Sequence, residues 1–181
     1  MSYIQILPLG SIPPDVLSGL ATGLSGEFRQ PCEFLPEDPD PAFAFNVTRQ
    51  QYSSSEILAE ITKRVTGRTG RLLAVTSVDL YIPILTFVFG EAQLDGKCAI
   101  VSSYRLRQEF YGLPAHQKLF RQRLLKEAVH ELGHTHTIQH CDDYQCVMSP
   151  SHSVEWIDLK SGSFCLSCRT RVASLAIGNH S

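Results

Sequence analysis

At 181 residues the chain fits one domain, or one domain with a small appendage, and is long enough to bury a real core. Hydrophobic residues make up 43% and charged residues 19%, with a formal net charge of −2, which is ordinary for a soluble globular protein and argues against a general nucleic-acid binder. No apolar run approaches the ~20 residues needed to cross a bilayer, and residues 1–8 lack the basic start and apolar segment of a secretory signal, so a cytoplasmic monomer without membrane attachment is expected.

Residues 3–7 alternate weakly and stop at Pro8, which suits a first strand. Pro13-Pro14-Asp15 opens a helix to about Gly26 whose buried stripe is Val16, Leu17, Leu20 and Leu24. Residues 32–35 and 42–47 are two short candidates for a second strand, separated by an acidic loop containing Pro36, Pro39 and Pro41. Ser53-Ser54-Ser55-Glu56 caps a helix running to about Thr66, with Ile57, Leu58, Ile61 and Val65 inward. Gly67 and Gly70 bracket a turn, and the branched run 72–78 is a third strand. After an interruption at 79–83, residues 85–92 and 98–102 form two strands joined by a hairpin whose signal is Asp95-Gly96. Residues 103–113 read as a connection. Pro114 then begins a long helix with Leu119, Phe120, Leu124 and Val129 inward. The alternation of strands and helices predicts a mixed α/β fold with a twisted, mostly parallel five-stranded sheet and one antiparallel edge strand. The basic residues Arg105, Arg107, Lys118, Arg121, Arg123 and Lys126 read as a solvated helix face.

The chemistry concentrates in residues 126–146, KEAVHELGHTHTIQHCDDYQC. His130 and His134 are four apart, so on a helix their side chains lie about 40° from each other and can share a zinc ion. Glu131 sits beside the first of them, where a carboxylate can take a proton from a metal-activated water as general base without occupying a ligand position. His140 is the candidate third ligand. On a continuing helix it would lie about 240° round from His134, so the helix must end first, and the β-branched Thr135, Thr137 and Ile138 weaken it there. His136 points about 200° away from His134, to a supporting or surface position, and becomes the fallback ligand if the exit turn fails. Cys141, Cys146, Cys165 and Cys168 fall in C-x4-C and C-x-x-C pairs, a metal-site spacing, and four thiolates make a closed structural zinc site. Cys32 and Cys98 read as buried small apolar residues. His116, His152 and His180 carry no pattern and read as surface residues.

The pattern H-E-x-x-H-x5-H, followed by Cys141-x4-Cys146-x-Met148, then Asp158-x-Lys160 and Cys165-x-x-Cys168, resembles the archaemetzincins, a branch of the metzincin zinc peptidases. The resemblance implies two zinc ions, one catalytic on His130, His134 and His140, and one structural on the four cysteines that clips the chain after His140 to a C-terminal helix. It implies that Met148 forms the Met-turn beneath the metal. It also implies that the antiparallel edge strand, Phe87, Val88, Phe89, Gly90, Glu91 and Ala92, pairs with an extended peptide substrate. The chain would then divide into a sheet-and-helix part, 1–140, and a small helical part, 141–181. One position departs: the family pattern has Gly seven residues after the first His, and here stands Thr137. A β-branched residue at φ > 0 costs about 1–3 kcal/mol, so either Thr137 is strained or the exit turn has another shape. The expected activity is hydrolysis of peptide bonds in a peptide or protein substrate. Its rival is a zinc-binding peptide-recognition protein with little or no turnover.

Overall fold

The computed structural model describes residues 2–38, 40–65 and 70–177, and the side chains of all of these but 174–177. The expected Gly67 turn, the helix end at Thr66, Pro39 and His180 lie outside the described residues.

The main sheet is built from β1 (Tyr3–Leu9), β2 (Cys32–Phe34), β5 (Gly70–Thr76), β8 (Cys98–Ser102) and β7 (Gly90–Ala92) in the order β2-β1-β5-β8-β7. All neighbours are parallel except β7 with β8, as the alternation predicted. Strand β1 continues through Pro8 where the sequence suggested a stop. Proline has no N–H, but the β1–β2 pairing has already ended at Ile6–Phe34, so no ladder bond is lost. The hairpin forms as expected, with Asp95 at φ 60°, but its first strand is only Gly90–Ala92. Residues 87–89 lead into it, with Val88 bridging to Leu80.

Successive residues of a strand face opposite sides, so the branched runs cover both faces of the sheet. Ile4, Ile6, Leu73, Val75, Ala99 and Val101 pack on one side against α1 (Pro14–Phe28) and α3 (Gln117–Thr135). Leu7, Leu9, Leu72, Ala74, Cys98 and Ile100 pack on the other against α2 (Ser54–Thr62). Each fully buried aliphatic side chain contributes about 1.5–3 kcal/mol relative to exposure, so the sheet is fixed by both layers. The buried stripe of α1 is Val16, Leu20, Leu24 and Phe28; Leu17 is only partly covered. Ser53 caps α2 by accepting from the Glu56 N–H at 3.4 Å.

Three features were not expected. A second sheet of β3 (Phe45–Asn46), β4 (Gln51–Ser53) and β6 (Leu80–Tyr81) uses the stretch that interrupts the larger strands. A short helix α4 (Val154–Leu159) precedes α5 (Leu166–Ile177). The basic residues do not form one solvated face. Arg123 is buried and makes a two-pronged pair with Asp158 at 2.8 and 2.7 Å, while Arg105 lies outside α3 and pairs with Asp79. Lys126 reaches the α4 carbonyls of Ile157 and Asp158 at 2.9 and 3.3 Å. Arg123 and Lys126 thereby fasten α4 to α3. Among the described residues no helix is long and apolar enough to cross a membrane.

Candidate active site

Helix α3 carries His130 and His134 on one face one turn apart, and it ends at Thr135. The Ile138 N–H bonds to Gly133 O at 3.3 Å and the Thr137 N–H to His134 O at 3.0 Å, the paired bonds of a Schellman cap. That cap needs a left-handed residue after the helix, and Thr137 supplies it at φ 58°. Thr137 is therefore the strained residue, in the same turn a glycine would make, and the chain reverses so that Ile138 is buried. His140 then faces the first two histidines, its ring 5.3 Å from that of His130 and 5.0 Å from that of His134.

The ring tautomers follow from the backbone. His130 Nδ1 lies 2.8 Å from Val147 O and His134 Nδ1 lies 2.7 Å from Ile138 O. A carbonyl only accepts, so each Nδ1 carries the proton and each Nε2 a lone pair. The two Nε2 atoms are 3.1 Å apart, and one nitrogen from each of the three histidines falls within 4.8 Å of the others. Burial lowers all three pKa values from the ordinary 6.5, strongly for His130. Neutral imidazoles with converging lone pairs repel one another unless a cation lies between them. The donor set fits zinc.

Glu131 is buried, and its pKa is raised well above the usual range, first by burial and then by the charge of Glu127, with Lys160 opposing. Its space is made by an absent side chain. A Cβ on Gly90 would come within 2.7 Å of Glu131 Cγ and 2.9 Å of Oε1, so only glycine lets β7 pass this close. Gly133, between the paired histidines, is likewise filled: a Cβ there would collide with the Met148 sulfur and lie 3.2 Å from Phe164. Met148 is fully buried against the helix at that point, and its carbonyl accepts from the Cys141 N–H at 3.0 Å. Strand β7 is held to α2 by Glu91, whose carboxylate accepts from the Ser54 and Ser55 hydroxyls.

Cys141, Cys146, Cys165 and Cys168 bring their sulfurs within 4.8 Å of one another, and all six cysteines are free thiols. Cys141 and Cys165 sulfurs are 3.9 Å apart, and the Cys165 N–H points at the Cys146 sulfur at 3.3 Å. The Cys168 N–H lowers the Cys165 pKa, whereas burial raises those of Cys146 and Cys168. This set also could hold a metal ion, and it ties the start of α5 to the segment carrying Met148.

A cleft of about 370 Å³ is lined by residues 85–90, by Glu127, His130 and Glu131 of α3, and by His140, Pro150, Ser151 and His152. Larger cavities of about 440 and 510 Å³ elsewhere contain no residue of either cluster, so size does not pick out the site. His152, expected at an indifferent surface position, is exposed but on the cleft wall, with its ring 6.2 Å from Trp156. His116, also exposed, caps α3 by accepting from the Leu119 N–H at 3.2 Å. His136 lies outside the histidine cluster and away from the surface: it is buried, stacked on Phe28 at 5.4 Å, and both ring nitrogens lack a hydrogen-bond partner. Burial, aided by Arg71, lowers its pKa to about 3.

Sequence reasoning missed Glu127 and Lys160. They form a buried ion pair at 2.9 Å behind Glu131, and Lys160 also donates to Ser149 O at 3.1 Å. The signal was there in Asp158-x-Lys160, but a partner more than 30 residues away gives no local pattern.

The model of Peptidase family M54 matches residues 44–174. The archaemetzincin of Methanocaldococcus jannaschii is 41% identical over 174 residues, covering 96% of this chain and 94% of that protein. The archaemetzincin of Pyrococcus furiosus is 38% identical, covering 91% of this chain and 89% of that protein. Among solved structures, the archaemetzincin of Archaeoglobus fulgidus complexed with malonate superposes with a TM-score of 0.80 at 36% identity, covering 93% of this chain and 99% of that one. A zinc-dependent peptidase from Methanocorpusculum labreanum superposes with a TM-score of 0.86 at 28% identity, with the same coverage. The chain belongs to Peptidase family M54, the archaemetzincins, and is a zinc metallopeptidase.

Proposed function

We propose that the chain hydrolyses peptide bonds with Glu131 as general base, at a catalytic zinc ion held by His130, His134 and His140. The observation that carries this reading is the convergence of three neutral imidazoles beside a buried carboxylate in an open cleft. When bound, zinc supplies a Lewis acid that lets water lose a proton near neutral pH. Glu131 accepts that proton at a carboxylate oxygen and passes it to the leaving amine nitrogen. Its close fit against Gly90 holds the carboxylate beside the histidine cluster, which supports this role. The carbonyls of Val147 and Ile138 hold the His130 and His134 rings in the tautomer that leaves Nε2 free. Strand β7 and residues 87–89 line the cleft as a sheet edge, which supports alignment of an extended peptide by backbone hydrogen bonds.

Cys141, Cys146, Cys165 and Cys168 would hold a second, structural zinc ion, closed to water by its four thiolates. In this division residues 1–140 supply the sheet, α3 and the histidines. Residues 141–181 supply the Met148 floor and the cysteine clip. Thr137, the one departure from the family pattern, takes the left-handed conformation that the exit turn requires. The test is Glu131→Gln: hydrolysis of a mixed peptide pool should fall about 10²-fold or more with zinc content unchanged. Retained hydrolysis would remove Glu131 from the mechanism.

A further inference from the structure

We infer that Glu127 makes this enzyme selective for a basic side chain, Lys or Arg, on the substrate residue that supplies the leaving amine. The inference rests on the hydrolytic reading above and names its substrate class. Glu127 and Glu131 are one turn apart on α3 and both line the cleft, and they are the only Asp, Glu, Lys or Arg side chains among the described residues lining it. Glu131 serves the leaving nitrogen, so the pocket beyond it, toward Glu127, receives the residue on that side of the cut.

The carboxylate at Glu127 is built into place. Lys160, itself 2% exposed, pairs with Oε1 at 2.9 Å from outside the cleft, and Ser151 Oγ lies 3.5 Å from the same oxygen. Both of these contacts fall on Oε1, and Oε2 is the oxygen we assign to the ligand. Lys160 is anchored in turn by Ser149 O, next to Met148, so the pair cannot swing without disturbing the floor of the site. Leu85, Phe87 and Val88 give the pocket an apolar wall. An apolar wall ending in a fixed carboxylate suits a side chain with an aliphatic stem and a charged donor tip. An acidic side chain there would meet the Glu127 carboxylate, with Lys160 lying on the far side of it.

The test uses zinc-loaded Glu131→Gln protein and fluorescence anisotropy with N-acetylated, C-amidated peptides that differ at one central residue: Lys, norleucine or Glu. Lys should bind about tenfold or more tightly than norleucine, and Glu more weakly than either. The preference should vanish when Glu127→Gln is added. It should vanish equally in Glu127→Gln/Lys160→Met, which removes both charges together and leaves no buried charge unpaired. In parallel, the active enzyme digesting a capped peptide pool should give C-terminal products beginning with Lys or Arg. Equal binding of Lys and norleucine, or a preference that survives loss of Glu127, would overturn the inference. So would a preference seen only in unacetylated peptides, which would assign the cation to a free α-amine. Glu127-dependent binding without any cleavage by the active enzyme would uphold this inference and overturn the hydrolytic reading instead.

Discussion

Replacing Thr137 with glycine should stabilise the protein. Thr137 sits at φ 58° in the left-handed region, where an L side chain costs roughly 1–2 kcal/mol, and β-branching places it at the upper end. Its side chain is exposed, and the two cap bonds at 3.0 and 3.3 Å are backbone bonds that glycine keeps. Against this gain, glycine loses about 0.5–1 kcal/mol more conformational entropy on folding. The net expectation is about 1 kcal/mol of stabilisation, or a rise of about 2–4 °C in melting temperature for a chain of this size. Urea unfolding of zinc-loaded protein measures it, with Thr137→Ala, which keeps the Cβ, as the comparison. A Thr137→Gly protein less stable than wild type by 0.5 kcal/mol or more would show that the threonine side chain supports the turn and that the strain argument is mistaken (~0.5 kcal/mol being the ordinary scatter of surface substitutions).

Gly90→Ala should lower peptide hydrolysis about 10²-fold without loss of zinc, because the new methyl would meet both the Ile100 carbonyl of β8 and Glu131, so that strand and carboxylate must shift; full activity would mean that β7 yields freely. Acid stability should depend on His136. Its pKa is about 3 when folded and about 6.5 when unfolded, so only the unfolded chain takes up this proton between those values, and stability falls as pH drops through that window. At pH 5 the loss is about 2 kcal/mol (~1.5 units at ~1.36 kcal/mol each). His136→Phe keeps an aromatic ring against Phe28 and should show a correspondingly smaller loss between pH 7.5 and 5 in urea unfolding. Identical pH dependence in the two proteins would place that ring in contact with solvent.

The parts of the fold that could be read from the sequence are those fixed by local periodicity. His130 and His134 share a face because α-helical spacing dictates it, and β1, β5 and β8 are short branched runs with no other stable use. Met148 and the cysteine clip were legible only through resemblance; the structure packs Met148 against Gly133 and brings the four cysteine sulfurs within 4.8 Å of one another. Strands β4 and β6 were not legible, since two or three residues carry no period and their pairing joins positions nearly 30 apart. Polar residues misled most. Arg123 was expected on a solvated face and Glu127 and Lys160 were given no place in the site, yet all three are buried, each because an opposite charge some 30 residues away compensates; His136 is buried as well. The pockets at Gly90 and Gly133 were invisible for the converse reason: each is defined by a missing side chain whose space another element fills.

The central claim is that two separate clusters hold zinc, one for chemistry and one for structure. Zinc content of protein purified without added metal tests it most directly, on wild type, His140→Ala and Cys165→Ser/Cys168→Ser. The account predicts two zinc ions per chain in wild type, and one in a folded His140→Ala protein that no longer hydrolyses peptides. It predicts loss of the cysteine-bound ion, with marked destabilisation, in the double cysteine variant. Two ions retained by His140→Ala, with activity, would contradict it.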